Sequence, residues 1–235
     1  MKINIFKYIA FIFAVLVFAS CAEKETEGIS DITYYVTIVL EGDEIVYHEK
    51  DTPWVEPGYS ATEGEDDVTD AVIATEPDVS VLGSNTLSYS ATNSDGYSGA
   101  VSREVIVHSS GLSSVDISGE YTGDVFRLNT DDNSSVSFAG NPVVISKTSV
   151  EGLYMISDWI AGFYAVGYGY GAGYAFPGYL QMISDTEFEH VSMSNAWGDP
   201  FDSVESVIVD ASTGSITYTA KWLGKYNFDI SLQKD

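Results

Sequence analysis

The sequence predicts an all-β protein, and three observations carry that prediction. Apolar residues alternate with polar ones, as in Val36, Ile38 and Leu40, in Leu87, Tyr89 and Ala91, and in Ile216, Tyr218, Ala220 and Trp222. A half-buried strand needs this period, because successive side chains face opposite sides of a sheet. Turn-forming clusters interrupt the alternation at short intervals, among them Glu41-Gly42-Asp43, Glu56-Pro57-Gly58, Asn93-Ser94-Asp95-Gly96 and Ser212-Thr213-Gly214. Beyond the N-terminal leader no segment carries a helical apolar period.

Residues 1–20 read as an export signal. Lys2 and Lys7 give a basic start, and Tyr8 to Phe18 form an almost unbroken apolar run, too short for a comfortable membrane span. The run ends in Phe18-Ala19-Ser20-Cys21, which resembles the lipobox of bacterial lipoproteins. That resemblance implies cleavage before Cys21 and acylation of its thiol. Cys21 is the single cysteine of the chain, so no intrachain disulfide can form and the folded part must hold together by burying apolar surface. One acyl chain binds a membrane only marginally, at roughly 0.8 kcal/mol per methylene, so the several chains of a lipoprotein cysteine make the attachment durable. Residues 21–30 are polar and without period, a tether between the anchor and the first domain. The acidic run Glu23, Glu25 and Glu27 resembles the signal that routes lipoproteins of gut-type gram-negative anaerobes to the cell exterior. The expected location is the outer membrane, lipid-anchored and facing outward.

Residues 31–108 form the first predicted domain, a small β-sandwich of short strands. Three stretches carry a resemblance: Leu40-Glu41-Gly42-Asp43, then Trp54-Val55-Glu56-Pro57-Gly58-Tyr59-Ser60-Ala61 with Asp67-Val68-Thr69-Asp70, and finally Tyr89-Ser90-Ala91-Thr92-Asn93-Ser94-Asp95-Gly96. In order and spacing they resemble the Ig-like domain of bacterial surface proteins, which implies a spacer or adhesion module, with Trp54 in the core. The start at Thr33-Tyr34-Tyr35 departs from that family's usual proline pair and leaves the register of the first edge strand open.

Ser109 to Ser114 is a linker of small residues, and residues 115–235 form the second domain. Strands are expected at 119–128, 142–148, 153–158, 174–183, 187–193, 206–210, 215–222 and 226–232, about eight in all, as an antiparallel β-barrel or a second sandwich. Ile117-Ser118-Gly119-Glu120-Tyr121-Thr122-Gly123, Tyr154 to Asp158, Gly162-Phe163-Tyr164, Trp197-Gly198 and the Asp210 to Gly214 hairpin resemble the C-terminal domains of surface lipoproteins encoded in polysaccharide-utilisation clusters. The resemblance implies a lipocalin-like β domain paired with the Ig-like one.

Charge narrows the partners. With 10 basic and 35 acidic residues the chain carries a formal −25, a field that repels nucleic acid and anionic lipid. The acidic group Glu63, Glu65, Asp66, Asp67 and Asp70 lacks the spacing of a calcium-binding EF-hand loop, and a solvated loop is its plainer reading. His48, His108 and His190 are scattered among strands, no Gly-x-Ser-x-Gly elbow or phosphate-cradling Gly-x-x-x-x-Gly-Lys-Ser/Thr occurs, and no metal or cofactor is expected. Nothing in the sequence reads as an enzyme.

Aromatic residues are the most informative feature. Trp159, Phe163, Tyr164, Tyr168, Tyr170, Tyr174, Phe176 and Tyr179 are interleaved with Gly162, Gly167, Gly169, Gly171, Gly173 and Gly178. Glycine weakens a strand, so the stretch suits a loop presenting rings, and equally a kinked barrel strand whose rings are core. If it presents rings, Trp159, Tyr168, Tyr170, Tyr174 and Trp197 would stack on the apolar faces of sugars, and Asn195 and Asp199 would hydrogen-bond the hydroxyls. Tyr168, Tyr170 and Trp197 are the expected exposed members. A polysaccharide is one expected partner; a surface protein complex, with this chain as accessory subunit of an uptake system, is the other, and a purely structural role is third.

Overall fold

The computed structural model describes residues 32–235; the expected export signal at 1–20, the expected acylation site Cys21 and the expected tether to residue 30 lie outside the described residues. Two small sheets form the N-terminal part. Strands β1 (Val36–Leu40), β3 (Tyr59–Glu63) and β4 (Asp66–Asp67) make the first, with Val36 paired to Glu63 and Leu40 to Tyr59, which fixes the edge register. The second contains β2 (Ile45–Glu49), β5 (Ile73–Ala74), β6 (Gly83–Thr92) and β7 (Ser98–His108) in the order β2-β7-β6-β5, with β2 parallel to β7. The inward residues of the alternation, including Val36, Ile38, Leu87, Tyr89, Val105 and Val107, form the core between the sheets. Trp54 packs against that core half-buried, its ring 5.4 Å from that of His48.

The alternation Val101, Arg103, Val105 also carries a guanidinium inward. Arg103 is 1% exposed and pairs with Glu56, while the Tyr89 hydroxyl donates to the other Glu56 oxygen at 2.7 Å. A buried charge persists only when paired. The glutamate of Glu56-Pro57-Gly58 thus joins the loop to β7.

The C-terminal part is one eight-stranded antiparallel sheet. Its strands are β8 (Gly119–Asn129), β9 (Ser135–Lys147), β10 (Leu153–Ile156), β11 (Gly178–Ser184), β12 (Glu187–Met193), β13 (Phe201–Asp210), β14 (Ser215–Trp222) and β15 (Tyr226–Lys234). They run in the order β12-β11-β10-β9-β8-β15-β14-β13, so β15 pairs with β8 and the sheet curls into a nearly closed barrel. At the seam between β12 and β13 the Val209 N–H donates to the Thr186 carbonyl at 2.8 Å. Because neighbours in the sheet are antiparallel, the β8–β9, β10–β11, β12–β13 and β14–β15 connections all emerge at one end, the mouth.

Several strand limits differ from expectation. β9 starts at Ser135 and β13 at Phe201, both earlier than the alternation shows, because bulges near Gly123/Val125 and between Glu205 and Ile208 shift the period within them. β11 starts at Gly178 rather than Tyr174. A Cβ at Gly178 would lie 2.0 Å from the Ser192 carbonyl oxygen, so only glycine permits this approach of β12.

The small-residue linker is pinned to the barrel. Ser109 N–H donates to Gln181 Oε1 at 2.9 Å and Ser113 N–H to the Met182 carbonyl at 2.8 Å. Ile106 packs with Leu153, Tyr179 and Val191, and Tyr47 meets Tyr179 edge-on at 6.1 Å. The Ig-like part therefore packs on the side wall of the barrel at Leu153, Tyr179 and Val191, away from the mouth.

Candidate functional site

The 21 residues between β10 and β11 build the mouth. The segment first dives inward. Trp159, Ile160, Ala161 and Phe163 are 0% exposed and merge with Tyr121, Phe228 and other inward barrel residues into one core. The Trp159 indole donates to the Ser192 carbonyl at 3.2 Å, and Tyr218 donates its hydroxyl to the Trp159 carbonyl at 2.7 Å. This corrects the expectation for Trp159: it is a plug filling the barrel and cannot meet a ligand. Aromatic volume and satisfied polar tips make it core.

Gly162 adopts a left-handed φ of 68°, and the chain reverses through a wide π-helical turn, Phe163–Gly167. Such turns concentrate at functional sites. At Gly167 a Cβ would come within 2.3 Å of the Phe138 ring, so glycine is required for the turn to settle on β9. From here the rings surface. Tyr168 is 40%, Tyr170 53% and Tyr174 39% exposed, and Trp197, arriving from the β12–β13 loop, is 43% exposed. Tyr164, Tyr168 and Tyr170 are near-parallel, with interplanar angles of 14° to 29°. Trp197 lies 4.9 Å from Tyr164 and 5.4 Å from Tyr174. Four of the expected aromatic residues are thus brought together, joined by Tyr164, Trp222 and Tyr226.

Asn195 plays a different part from the one expected. Its carboxamide oxygen accepts the N–H groups of Trp197 (2.8 Å) and Gly198 (2.9 Å), and its NH₂ donates to the Asp199 carbonyl at 2.7 Å. These contacts shape the loop that holds Trp197 and use up the acceptor a sugar hydroxyl would need. The Asp199 side chain is exposed beside it, while its carbonyl also accepts from the Trp222 indole at 3.2 Å.

Sequence reasoning missed Arg127. It sits on the inward row of β8, with Cζ 5.0 Å from the ring centres of both Phe163 and Tyr226. Its place two residues after Val125 on an inward alternation was the available signal. Burial raises the Tyr164 hydroxyl above the usual tyrosine range, against the opposing pull of the Arg127 guanidinium. Two titratable groups flank the plug. Burial pushes Asp158 up to about 6, only partly offset by backbone N–H donors beginning with Ile160. His190, its Nε2 buried without a partner and its ring 5.0 Å from Trp159, is pushed down to about 4 by desolvation.

Elsewhere the acidic loop engages its own turns. Glu63 accepts from Ser94, and Asp67 accepts the Thr69 N–H, which lowers its pKa. Among the described residues no group of three His, Cys, Asp or Glu side chains converges as a metal site.

Residues 38–107 match the model of the bacterial surface protein Ig-like domain, and residues 111–234 match that of a C-terminal domain belonging to BT2262-like lipoproteins. Among solved structures the chain is similar to the lipoprotein BT2262 from Bacteroides thetaiotaomicron, at 33% identity over 85% of this chain and 100% of that one, with a TM-score of 0.47. A Clostridium perfringens ZmpB structure, CBM51-2 in complex with GlcNAc and INT domains, is 16% identical over 84% of this chain and 44% of that one, with a TM-score of 0.28. At that level it bears no argument about this chain. No curated protein matches.

Proposed function

The chain belongs to the BT2262-like lipoprotein family, and on that premise we propose that it is a non-catalytic, outward-facing outer-membrane lipoprotein that binds a glycan at the barrel mouth. One observation carries the reading: Tyr168, Tyr170, Tyr174 and Trp197 stand exposed together over a lumen that Trp159 and Phe163 have filled. A lipocalin-like barrel with an empty lumen would take an apolar ligand inside; here recognition is confined to the surface. Exposed rings suit the C–H faces of sugars, and the hydroxyls of the tyrosines and the Asp199 carboxylate stand at their rim. A protein-docking surface would favour a continuous apolar patch of roughly several hundred Å². This mouth instead interrupts its rings with Gly169, Gly171, Gly173, Asp199, Arg127 and Lys225.

The test is retention of the full-length chain, in detergent, by plant and host polysaccharides cast in native gels. Trp197→Ala and the Tyr168→Ala/Tyr170→Ala pair should lose at least about tenfold in affinity for the retaining glycan, the scale of one aromatic stacking interaction, with unchanged circular dichroism. Absence of retention on every glycan would transfer the mouth to a protein partner.

A further inference from the structure

The described residues contain seven Lys and Arg side chains, and five are committed. Lys50, Arg103, Lys147 and Lys221 are in ion pairs with Asp51, Glu56, Asp116 and Glu205, and Lys234 donates to the Ser118 carbonyl at 2.6 Å. The remaining two, Arg127 and Lys225, stand on the same ring at the mouth: Arg127 Cζ is 5.0 Å and Lys225 Nζ 5.1 Å from the centre of Tyr226. In a chain of net −25, two cations left without a carboxylate at one place call for an explanation.

Their surroundings stabilise the charge but do not neutralise it. Phe163 and Tyr226 offer Arg127 their π faces, which attract a cation yet accept no hydrogen bond in the guanidinium plane. The Nε of Arg127 is buried with no partner. Two carboxylates of the adjoining loops accept backbone donors and form no ion pair with either cation: Asp132, which feels the Arg127 charge, accepts the Ser134 N–H at 2.8 Å, and Asp202 accepts the Gly224 N–H at 2.7 Å. Arg127 and Lys225 are both half-buried, so neither is sealed from solvent. A planar fork of donors with a second cation beside it fits a planar or tetrahedral oxyanion.

Building on the glycan reading, we propose that the mouth selects an acidic glycan, whose sugar rings stack on the exposed tyrosines and Trp197 while its carboxylate or sulfate meets Arg127 and Lys225. The acidity of the whole chain then acts as a filter. Polyanions are repelled everywhere except at this point, so binding an acidic polymer requires the local pair and not general attraction.

The experiment uses the full-length chain in detergent and two polymer pairs that differ only in charge: polygalacturonate against its methyl ester, and dextran sulfate against dextran. Retention of at least one charged member about tenfold over its neutral counterpart is expected, as a charge-assisted contact supplies. That member should lose about tenfold with Arg127→Gln and about threefold with Lys225→Gln. Equal retention of charged and neutral members, or preference for the neutral ones, overturns the inference and leaves the glycan reading standing. Retention of none of these polymers, nor of any in the wider panel, overturns both. Should Arg127→Gln fail to fold by circular dichroism, the charged-to-neutral ratio of the unaltered chain and the Lys225→Gln variant still decide.

Discussion

The segment between β10 and β11 contains two regions of similar composition and opposite fate. Trp159 to Phe163 is core, at or near zero exposure, whereas Tyr168, Tyr170 and Tyr174 are 39–53% exposed. Aromatic content does not separate them. What differs is the residue between the rings. In the first region Ile160 and Ala161 fill space beside the tryptophan, and the polar tips have partners in the barrel wall. In the second, Gly169, Gly171 and Gly173 alternate with the rings, and a Cβ added at any of them would meet nothing within 4 Å. A ring needs neighbours on all sides to be core; glycine at every second position removes them and lets the backbone wander through solvent.

The largest expected effect tests the inner region. Trp159→Ala should cost roughly 3–5 kcal/mol, as the removal of a large aromatic from a filled core does. Urea titration followed by circular dichroism measures it. A cost under about 1 kcal/mol would mean that the plug is not held as core and that the contrast is false.

A smaller effect appears with pH, through the groups flanking the plug. His190 has a folded pKa of about 4, below its ordinary 6.5, so its contribution to stability is present above 6.5 and is lost as pH falls through 4. Asp158 has a folded pKa of about 6, above its ordinary 3.8, so its contribution is present below 3.8 and is lost as pH rises through 6. Between pH 4 and 6 the two oppose each other, and the unaltered protein should show a nearly flat profile from this pair. Single variants should tilt it. His190→Gln should gain about 2 kcal/mol relative to the unaltered chain on going from pH 7 to 4.5, and Asp158→Asn should gain about as much from pH 4 to 7.5. Denaturant midpoints across that range would reveal it; parallel profiles would mean that neither group is desolvated by the plug.

Legibility in the sequence divides along the same line. Regular strands are readable where alternation is unbroken: β12 at 187–193 and β14 at 215–222 match the expected limits. Reading fails where a bulge slips the period, at the starts of β9 and β13, because one extra residue exchanges the inward and outward rows. Exposure of Tyr168, Tyr170 and Trp197 could be anticipated from the glycines around them. Burial of Trp159 could not, since its partners Ser192, His190 and Tyr218 are 31 to 59 residues away and only closure of the barrel brings them together. Asn195 resembles a ligand contact in sequence because a side-chain amide that folds a loop and one that awaits a sugar have the same spelling.

The smallest stability effect sharpens the outer region. Tyr170 is 53% exposed, and its ring partners are the other rings of the mouth, Tyr164, Tyr168 and Tyr174. Replacing it with alanine removes ring contacts without opening a core cavity, so Tyr170→Ala should cost about 1 kcal/mol or less. Its melting temperature should stay within about 4 °C of the unaltered chain's, against the far larger drop for Trp159→Ala. The comparison also separates folding from function. If the mouth is preorganised by its own stack, Tyr170→Ala weakens glycan retention with no more than that small shift of the unfolding transition. A concerted loss of both would show that the exposed rings belong to the same cooperative unit as the plug, and that the boundary at the Phe163–Gly167 turn is one of exposure alone.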